Sequence, residues 1–258
     1  MFCSQRTAGT AAWDVPADNI SAAAARNQDH ATIAINSNGN GRVAYHDVTG
    51  ATNNDNEAKL IMFKPAGSSI TYLLPDGAPS PQPGWQDRPF IALDGAGKMH
   101  AAWEDGPTGS EGIKYVRCLY STPGGCDDDL EWEFNNVTIS EAGVVWARTP
   151  HLTITSARTW ISYEQELAVG TKEVKVLDRC LSAPFTGAWT LSHPQSDINM
   201  GALTNEFTEE LGTPHIASRS RGWAALYPVE VGTVTLRQNA TTGLYEGILY
   251  TKTEPPCS

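Results

Sequence analysis

The sequence predicts an all-β protein, organised as a β-propeller of about four to five four-stranded blades or as a segment of a larger propeller. Three observations predict this fold. Apolar and polar residues alternate with the period of two that is typical of strands. One strand-turn-strand unit recurs along the chain, and its 23 glycines and 16 prolines suit many short turns. Helix signals are poor and are confined to two short stretches, 20–27 and 203–211.

The clearest copy of the unit is the segment 89–118. A short apolar strand over 90–93 is followed by the turn Asp94-Gly95-Ala96-Gly97 and by a second strand over 99–104. A polar, glycine-rich loop then leads to a third strand over 113–118. This succession predicts an antiparallel meander, which is the blade unit of a propeller.

Four copies of the unit can be aligned on the aromatic residue that ends each second strand. These anchors are Tyr45, Trp103, Tyr163 and Tyr227, and we expect them in equivalent, buried positions. Their spacing of roughly 60 residues is compatible with four-stranded blades. We therefore predict a single propeller domain over 1–258, with repeats at about 31–88, 89–149, 150–213 and 214–258 and with 1–30 as the tail of a preceding or closing blade. In the last repeat, 234–238 and 247–252 can each be the third strand.

Charge and hydropathy exclude several classes of partner. The formal net charge of −11 argues against binding to nucleic acid or to anionic membranes, since an acidic surface repels phosphates. No run of about 18 apolar residues is present, so membrane insertion is not expected. The first residues lack the apolar core of a signal peptide. We nevertheless expect an extracellular, periplasmic or cell-surface location, and the oligomeric state is left open.

The five cysteines predict disulfide bonding. Cys118 and Cys126 flank a short Pro-Gly-Gly turn, a spacing that allows a local disulfide. Cys3 and Cys257 can pair if the two ends of the chain meet, which would leave Cys180 as a buried free thiol. No CxxC pair is present, so a zinc or redox centre is not expected.

Candidate site residues follow from strand direction. In a propeller, the connection from a fourth strand to the next first strand lies on the same face as the loop from the second to the third strand, and 85–88 and 146–149 are predicted to be such connections. The predicted ligand-binding residues at this rim are Trp85, Arg88, Trp146, Arg148, His46 and Asp47. The weaker candidates for catalysis are Glu104, Asp105 and Glu164. Indole rings, guanidinium groups and carboxylates together suit a sugar, since rings stack on pyranoses and charged groups bond hydroxyls.

The same residues also have structural explanations. Trp85 and Trp146 can pack between blades, and the rim carboxylates can remain solvated or bond turn amides. No metal or other cofactor is predicted. The alternative is a calcium ion at the polar runs 53–56 and 127–129, because calcium prefers oxygen ligands. His151 and His215 each follow a strand-opening proline and are interpreted as hydrogen-bonded side chains.

The unit IALDGAGKMHAAWED followed by IKYVRC resembles the repeats of sialidase-like, BNR-type propeller proteins. In those repeats, a D-x-x-G-x-x-H-x-x-W strand-turn-strand precedes an I-x-Y strand. The match is good over 89–118, fair over 31–63 and 150–180, and weak over 214–252. The resemblance implies a secreted or surface-attached propeller. Asp boxes of the form S-x-D-x-G-x-T-W do not occur, and Arg88 precedes its proline without the isoleucine of the Arg-Ile-Pro start of sialidases.

The leading functional prediction is a non-catalytic propeller that binds a glycan or protein ligand at its rim. The first alternative is a propeller-type glycoside hydrolase, sialidase-like, because many glycosidases use a pair of carboxylates. The second alternative is a structural module of a large surface protein. No HExxH, GxSxG, P-loop or GxGxxG motif points to another chemistry.

Overall fold

The computed structural model of the protein describes residues 2–3, 18–19, 27–35, 41–48, 56–63, 71–73, 85–106, 111–120, 132–134, 138–168, 171–184, 188–191, 215–219, 230–238 and 245–257. All the regular secondary structure in these ranges consists of β-strands, so the all-β prediction is confirmed. Among the same residues, no helix is long and apolar enough to span a membrane.

The described strands form five antiparallel sheets. A two-stranded sheet pairs β1 (Phe2–Cys3) with β2 (Asp18–Asn19). The first four-stranded sheet contains β3 (Asn27–Ile35), β4 (Gly41–Val48), β5 (Asn56–Phe63) and β6 (Thr71–Leu73). The second contains β7 (Trp85–Leu93), β8 (Met99–Gly106), β9 (Gly112–Cys118) and β10 (Trp132–Phe134). The third contains β11 (Trp146–Ile154), β12 (Arg158–Ala168), β13 (Thr171–Cys180) and β14 (Thr190–Leu191). The last sheet contains β15 (His215–Arg219), β16 (Glu230–Gln238) and β17 (Tyr245–Thr253).

Successive sheets are joined through their first strands. β3 contacts β7, β7 contacts β11, and β11 contacts β15. Thr32 donates its hydroxyl to the carbonyl of Pro89 at 3.3 Å, and the rings of Phe90 and His151 lie 3.7 Å apart between centroids. The meanders therefore follow one another as propeller blades do, whereas closure into a ring is not seen among the described residues and stays a prediction.

The apolar core lies between neighbouring sheets. One cluster joins Ala44 of the first sheet to Ile91, Met99 and Trp103 of the second. The next cluster joins the second sheet to the third and contains Ala102, Ile113, Tyr115, Ala147, Leu152, Ile161, Tyr163 and Leu177. The predicted anchors Tyr45, Trp103 and Tyr163 are all buried on second strands, which confirms them as core residues.

The fourth repeat differs from its prediction. β15 pairs directly with β16, with Ile216 opposite Thr233. Thr235, and not Tyr227 as predicted, therefore occupies the position of the anchors in this sheet. Tyr227 itself lies outside the described residues. Residues 234–238 belong to the second strand of this sheet, and residues 247–252 belong to the third.

Two first strands begin earlier than the sequence indicated. The rim segments 85–88 and 146–149 were predicted as connections, but they form the beginnings of β7 and β11. The strands continue because Pro89 and Pro150 lie at β-bulges, where a backbone N–H is not needed for the ladder.

The disulfides also correct the prediction in part. Cys180 is bonded to Cys257 across a sequence separation of 77 residues, so Cys180 is not a free thiol and Cys257 does not pair with Cys3. Cys118 is disulfide-bonded as well. Cys126 lies outside the described residues, and its pairing with Cys118 stays a prediction.

Candidate functional site

Three first strands carry a β-bulge at the same place. The register with the second strand shifts at His30-Ala31, at Arg88-Pro89 and at Thr149-Pro150. The leading residue of each bulge has a positive φ, which is 48° at His30, 46° at Arg88 and 54° at Thr149. A left-handed backbone costs a residue with a Cβ about 1–2 kcal/mol. Such strain is concentrated at functional sites, and three equivalent copies of it mark this end of the sheets.

The side chains at these bulges form a connected set that we call the bulge network: His30, His46, Asp87, Arg88, Glu104 and Thr149. Its first half converges on Oδ1 of Asp87. His30 Nδ1 lies 3.0 Å from this oxygen, His46 Nδ1 lies 3.3 Å from it, and the backbone N–H of Arg88 donates to it at 2.6 Å. Because both histidines come from the first sheet, Asp87 links the first sheet to the second.

The second half of the network converges on Oε1 of Glu104. Arg88 donates Nη1–H to this oxygen at 3.1 Å, and the backbone N–H of Thr149 donates to it at 2.6 Å. The side chain of Glu104 is 5% exposed and that of Arg88 is 15% exposed. Since Thr149 belongs to β11, Glu104 links the second sheet to the third.

Arg148 lies beside this network and has a different partner from Arg88. Its Nη2–H donates to Oε1 of Glu111 at 3.0 Å, and its guanidinium lies 4.8 Å above the ring of Trp146. Trp146 is buried, with 7% exposure, so little of its indole is open to a ligand. Arg148 occupies the same position relative to the bulge of β11 as Asp87 does in β7, and Thr149 occupies the position of Arg88.

Burial and local charge shift the acidity of the carboxyl groups. Burial raises the pKa of Glu104, against the charge of Arg88 and the N–H of Thr149. Burial also acts to raise the pKa of Asp87, but the hydrogen bond with His30 and the charges of His46 and His30 outweigh it, so the pKa of Asp87 is lowered. The pKa of Glu104 is therefore raised and that of Asp87 is lowered, although the two residues lie on neighbouring strands.

The remaining predicted site residues are only partly connected to the network. Asp105 accepts a hydrogen bond from Gln86 at 3.3 Å, and burial raises its pKa. Glu164 is buried and lies opposite Arg148 in the strand register. The side chains of Trp85 and Asp47 lie outside the described part, as do the possible calcium-binding runs 53–55 and 127–129.

The sequence analysis missed four residues of this region: His30, Asp87, Thr149 and Glu111. A signal for two of them, His30 and Thr149, was present. When the repeats are aligned on Ile33, Ile91 and Leu152, the residues three positions earlier are His30, Arg88 and Thr149. Glu111 gave no periodic signal, because its contacts, such as the bond from the N–H of Ala147 to its carbonyl, reach another sheet.

The side chains of the bulge network include groups that can bind sugar hydroxyls and groups that can bind a metal ion. Guanidinium and carboxylate groups can bind the hydroxyl groups of a sugar. One nitrogen of each histidine and a carboxylate oxygen of Asp87 all lie within 4.8 Å of one another, which is a donor set able to hold a metal ion.

The comparisons with known proteins give structural likenesses only. No protein-family model matches the chain, and no curated protein matches it. Among solved structures, it is similar to the catalytic domain of Coprinopsis cinerea GH62 alpha-L-arabinofuranosidase, with 10% identity and a TM-score of 0.45 over 88% of this chain and 65% of that chain. It thus spans less than two thirds of that domain.

Two further solved structures resemble the chain to the same degree. An alpha-L-arabinofuranosidase from Lactobacillus brevis has 12% identity and a TM-score of 0.48, over 90% of this chain and 70% of that chain. The endo-arabinase from Bacteroides thetaiotaomicron has 14% identity and a TM-score of 0.45, over 82% of this chain and 71% of that chain.

Proposed function

We propose that the bulge network is the centre of a site that cleaves glycosidic bonds, with Glu104 as the proton donor and Asp87 as the carboxylate that works beside it. The observation that carries this proposal is the cross-strand pair itself. Asp87 of β7 lies directly opposite Glu104 of β8. Side chains in such pairs have Cβ atoms about 4.5–5.5 Å apart, which suits the separation of about 5–5.5 Å between the carboxyl groups of retaining glycosidases.

The surroundings of the two carboxyl groups support different roles for them. Glu104 is nearly excluded from water, and burial favours its neutral form, as a proton donor requires. Asp87 is held through Oδ1, while Oδ2 has no hydrogen bond among the described residues. That second oxygen is therefore open to a substrate carbon or to a water molecule.

Arg88 supports the same proposal by its position between the two carboxyl groups. Its backbone N–H is bonded to Asp87, and its side chain is bonded to Glu104. A guanidinium group at this point can also donate to a sugar hydroxyl when a glycan enters. The disulfide between Cys180 and Cys257 supports secretion into an oxidising compartment, where free glycans are met.

A second candidate function is glycan or protein binding without cleavage. It is favoured by the contacts of Glu104, whose Oε1 already accepts from both Arg88 and Thr149. A carboxyl group held in this way can be a fixed part of a binding surface.

If the protein binds glycans without cleavage, Arg148 at the same rim should contribute a charged hydrogen bond to the glycan. Arg148→Ala should then weaken glycan binding by about tenfold, because one such bond contributes about 1.5–3 kcal/mol.

Turnover of aryl glycosides tests the first candidate against the second. The wild-type protein, Glu104→Gln and Glu133→Gln should be assayed on arabinofuranosides, galactosides, mannosides and sialosides. Glu133 is the matched control, since its carboxylate pairs with Arg117 on the outer strands. Glu104→Gln should lower the rate by about 10²–10⁴-fold on substrates with poor leaving groups, and by much less on dinitrophenyl glycosides, which need no proton donor.

Two outcomes would overturn hydrolysis by this pair. One is glycan binding on an array with no turnover by the wild-type protein, which would favour the second candidate. The other is an equal loss of rate in Glu104→Gln for good and poor leaving groups, because that result would mean a general structural defect.

A further inference from the structure

We propose that His30, His46 and Asp87 form a binding site for a single divalent transition-metal ion, Zn²⁺ in particular. The three side chains come from three strands, β3, β4 and β7, of two adjacent sheets. Their candidate ligand atoms all lie within 4.8 Å of one another. The site goes beyond the proposed hydrolysis and does not depend on it.

The two distances from the carboxylate oxygen to the histidine nitrogens are close to those of a tetrahedral ion. Zn²⁺ binds imidazole nitrogen and carboxylate oxygen at about 2.0–2.2 Å, so two ligand atoms on a tetrahedron lie about 3.3–3.5 Å apart. The observed separations from Asp87 Oδ1 are 3.0 Å to His30 Nδ1 and 3.3 Å to His46 Nδ1. These two distances need change by only a few tenths of an ångström, and the two histidine nitrogens, which lie within 4.8 Å of each other, would close around the ion.

The convergence of donors on one oxygen also favours a cation here. Oδ1 of Asp87 faces both imidazole rings and accepts from the backbone N–H of Arg88 at 2.6 Å. A carboxylate oxygen has two lone pairs, and three nitrogen atoms lie within 3.3 Å of this one. An ion between the rings and the carboxylate would replace two of these contacts and would leave the bond from Arg88 intact.

The type of donors decides which ion fits. Two imidazole nitrogens and one carboxylate are the ligands of open zinc sites, whereas Ca²⁺ prefers six to eight oxygens. The three residues also differ in exposure, since His46 is buried while the side chain of His30 is 42% exposed. A fourth position on the ion would therefore face solvent and would be open to water or to a ligand oxygen.

The site lies next to the proposed pair without using the same atom. The ion would be held by Oδ1 of Asp87, and Oδ2 is the oxygen assigned to hydrolysis above. Binding of the ion and cleavage of a glycan can therefore be measured separately, and either one can fail while the other holds.

Calorimetry with metal-free protein tests the site. ZnCl₂, CoCl₂ and CaCl₂ should each be titrated into the chelator-treated wild-type protein. We expect one Zn²⁺ per chain, tighter than Ca²⁺ by more than about a thousandfold, and a visible absorption band of tetrahedral Co²⁺. His46→Ala and His30→Ala should each weaken Zn²⁺ binding by about a hundredfold or more, beyond the effect of losing an outer hydrogen bond.

The control is His151→Gln, because His151 lies at the next first strand and outside the cluster. It should bind Zn²⁺ as the wild-type protein does. Circular dichroism should show that the His30 and His46 variants remain folded. If His46→Ala is unfolded, His30→Ala at the exposed position alone decides. Equal binding of Zn²⁺ by the wild type and a folded His30→Ala variant, or no binding by the wild type, would overturn the proposal and leave a hydrogen-bonded His-Asp-His group.

Discussion

The backbone N–H of Thr149 donates to Oε1 of Glu104 at 2.6 Å, and this bond joins the first strand of the third sheet to the second strand of the second sheet. The bond forms because Thr149 adopts a φ of 54° at its bulge. Without the bulge, the N–H would be part of the strand ladder. Local strain at Thr149 is therefore coupled to the position of a buried carboxyl group in the candidate site.

Removal of the charge partner of Glu104 should destabilise the protein strongly. Arg88→Ala leaves a carboxyl group of 5% exposure without its guanidinium, and such losses cost about 3–5 kcal/mol. The matched control is Lys114→Ala, because Lys114 and Asp105 are more exposed and 3.9 Å apart, and pairs of this kind contribute about 0–1 kcal/mol. Urea unfolding measures both variants. An equal loss of unfolding free energy in the two variants would show that the Arg88–Glu104 pair stabilises the fold no more than the Lys114–Asp105 pair does.

Replacement of Thr149 by glycine should leave the free energy of unfolding unchanged or raise it by up to about 1 kcal/mol. Glycine relieves about 1–2 kcal/mol of left-handed strain, and its greater freedom in the unfolded chain costs about 0.5–1 kcal/mol. The change also removes a buried hydroxyl that has no hydrogen-bond partner among the described residues. Thr159→Gly is the control, since Thr159 is buried in β12 without a positive φ, and it should destabilise the protein. A similar loss in both variants would contradict the strain at Thr149.

The core was predictable from the sequence because it depends on a local period. Tyr45, Trp103 and Tyr163 follow apolar residues at every second position, and the structure places them in the core, inside strands that continue past them. The bulges were not predictable in the same way. Arg88 and Thr149 precede prolines, which favours extended backbone. In the structure both have a positive φ, and their backbone N–H groups are bonded to the carboxylates of Asp87 and Glu104.

Long-range pairing is the second part that the sequence left undetermined. The apolar run around Tyr227 follows β15 directly and has a strand-like pattern, but β15 pairs with the more distant β16. Likewise, the partner of Cys180 is 77 residues away, and no local spacing indicates it. The proposed metal-binding group depends on contacts between two sheets, so the sequence indicated His46 as a rim residue but not its neighbours His30 and Asp87.

The stability of the protein should fall with pH below about 6.5 through His100. This side chain is fully buried, and its Nδ1 lies 2.6 Å from the hydroxyl of Tyr115. Burial lowers the pKa of His100, although the carboxylate of Asp94 opposes the shift. The unfolded chain therefore takes up a proton near pH 6.5 that the folded protein does not. This stability is fully present above that pH and is lost progressively as the pH falls towards the lower pKa of the folded state.

The His100→Gln variant tests this pH dependence. Between pH 7.5 and 5.5, its free energy of unfolding should fall by about 1 kcal/mol less than that of the wild-type protein. Tyr115→Phe is the control, because it removes the hydroxyl partner and keeps the imidazole. An unchanged pH slope in His100→Gln would assign the acid sensitivity to other groups.

The segment 254–257 should stabilise the protein strongly, because hydrogen bonds and a disulfide join it to the third sheet. Arg158 donates to the carbonyls of Pro255 and Pro256 at 3.0 Å and 2.9 Å, and Cys257 is bonded to Cys180. Closing a loop of 77 residues is worth about 4.5 kcal/mol in the chain-entropy model. Cys257→Ser should therefore lower the free energy of unfolding by about this amount. Reductant should destabilise the wild-type protein more than the variant, whose remaining response comes from the disulfide of Cys118. Identical responses of the two proteins to reductant would show that the 180–257 bond does not stabilise the fold.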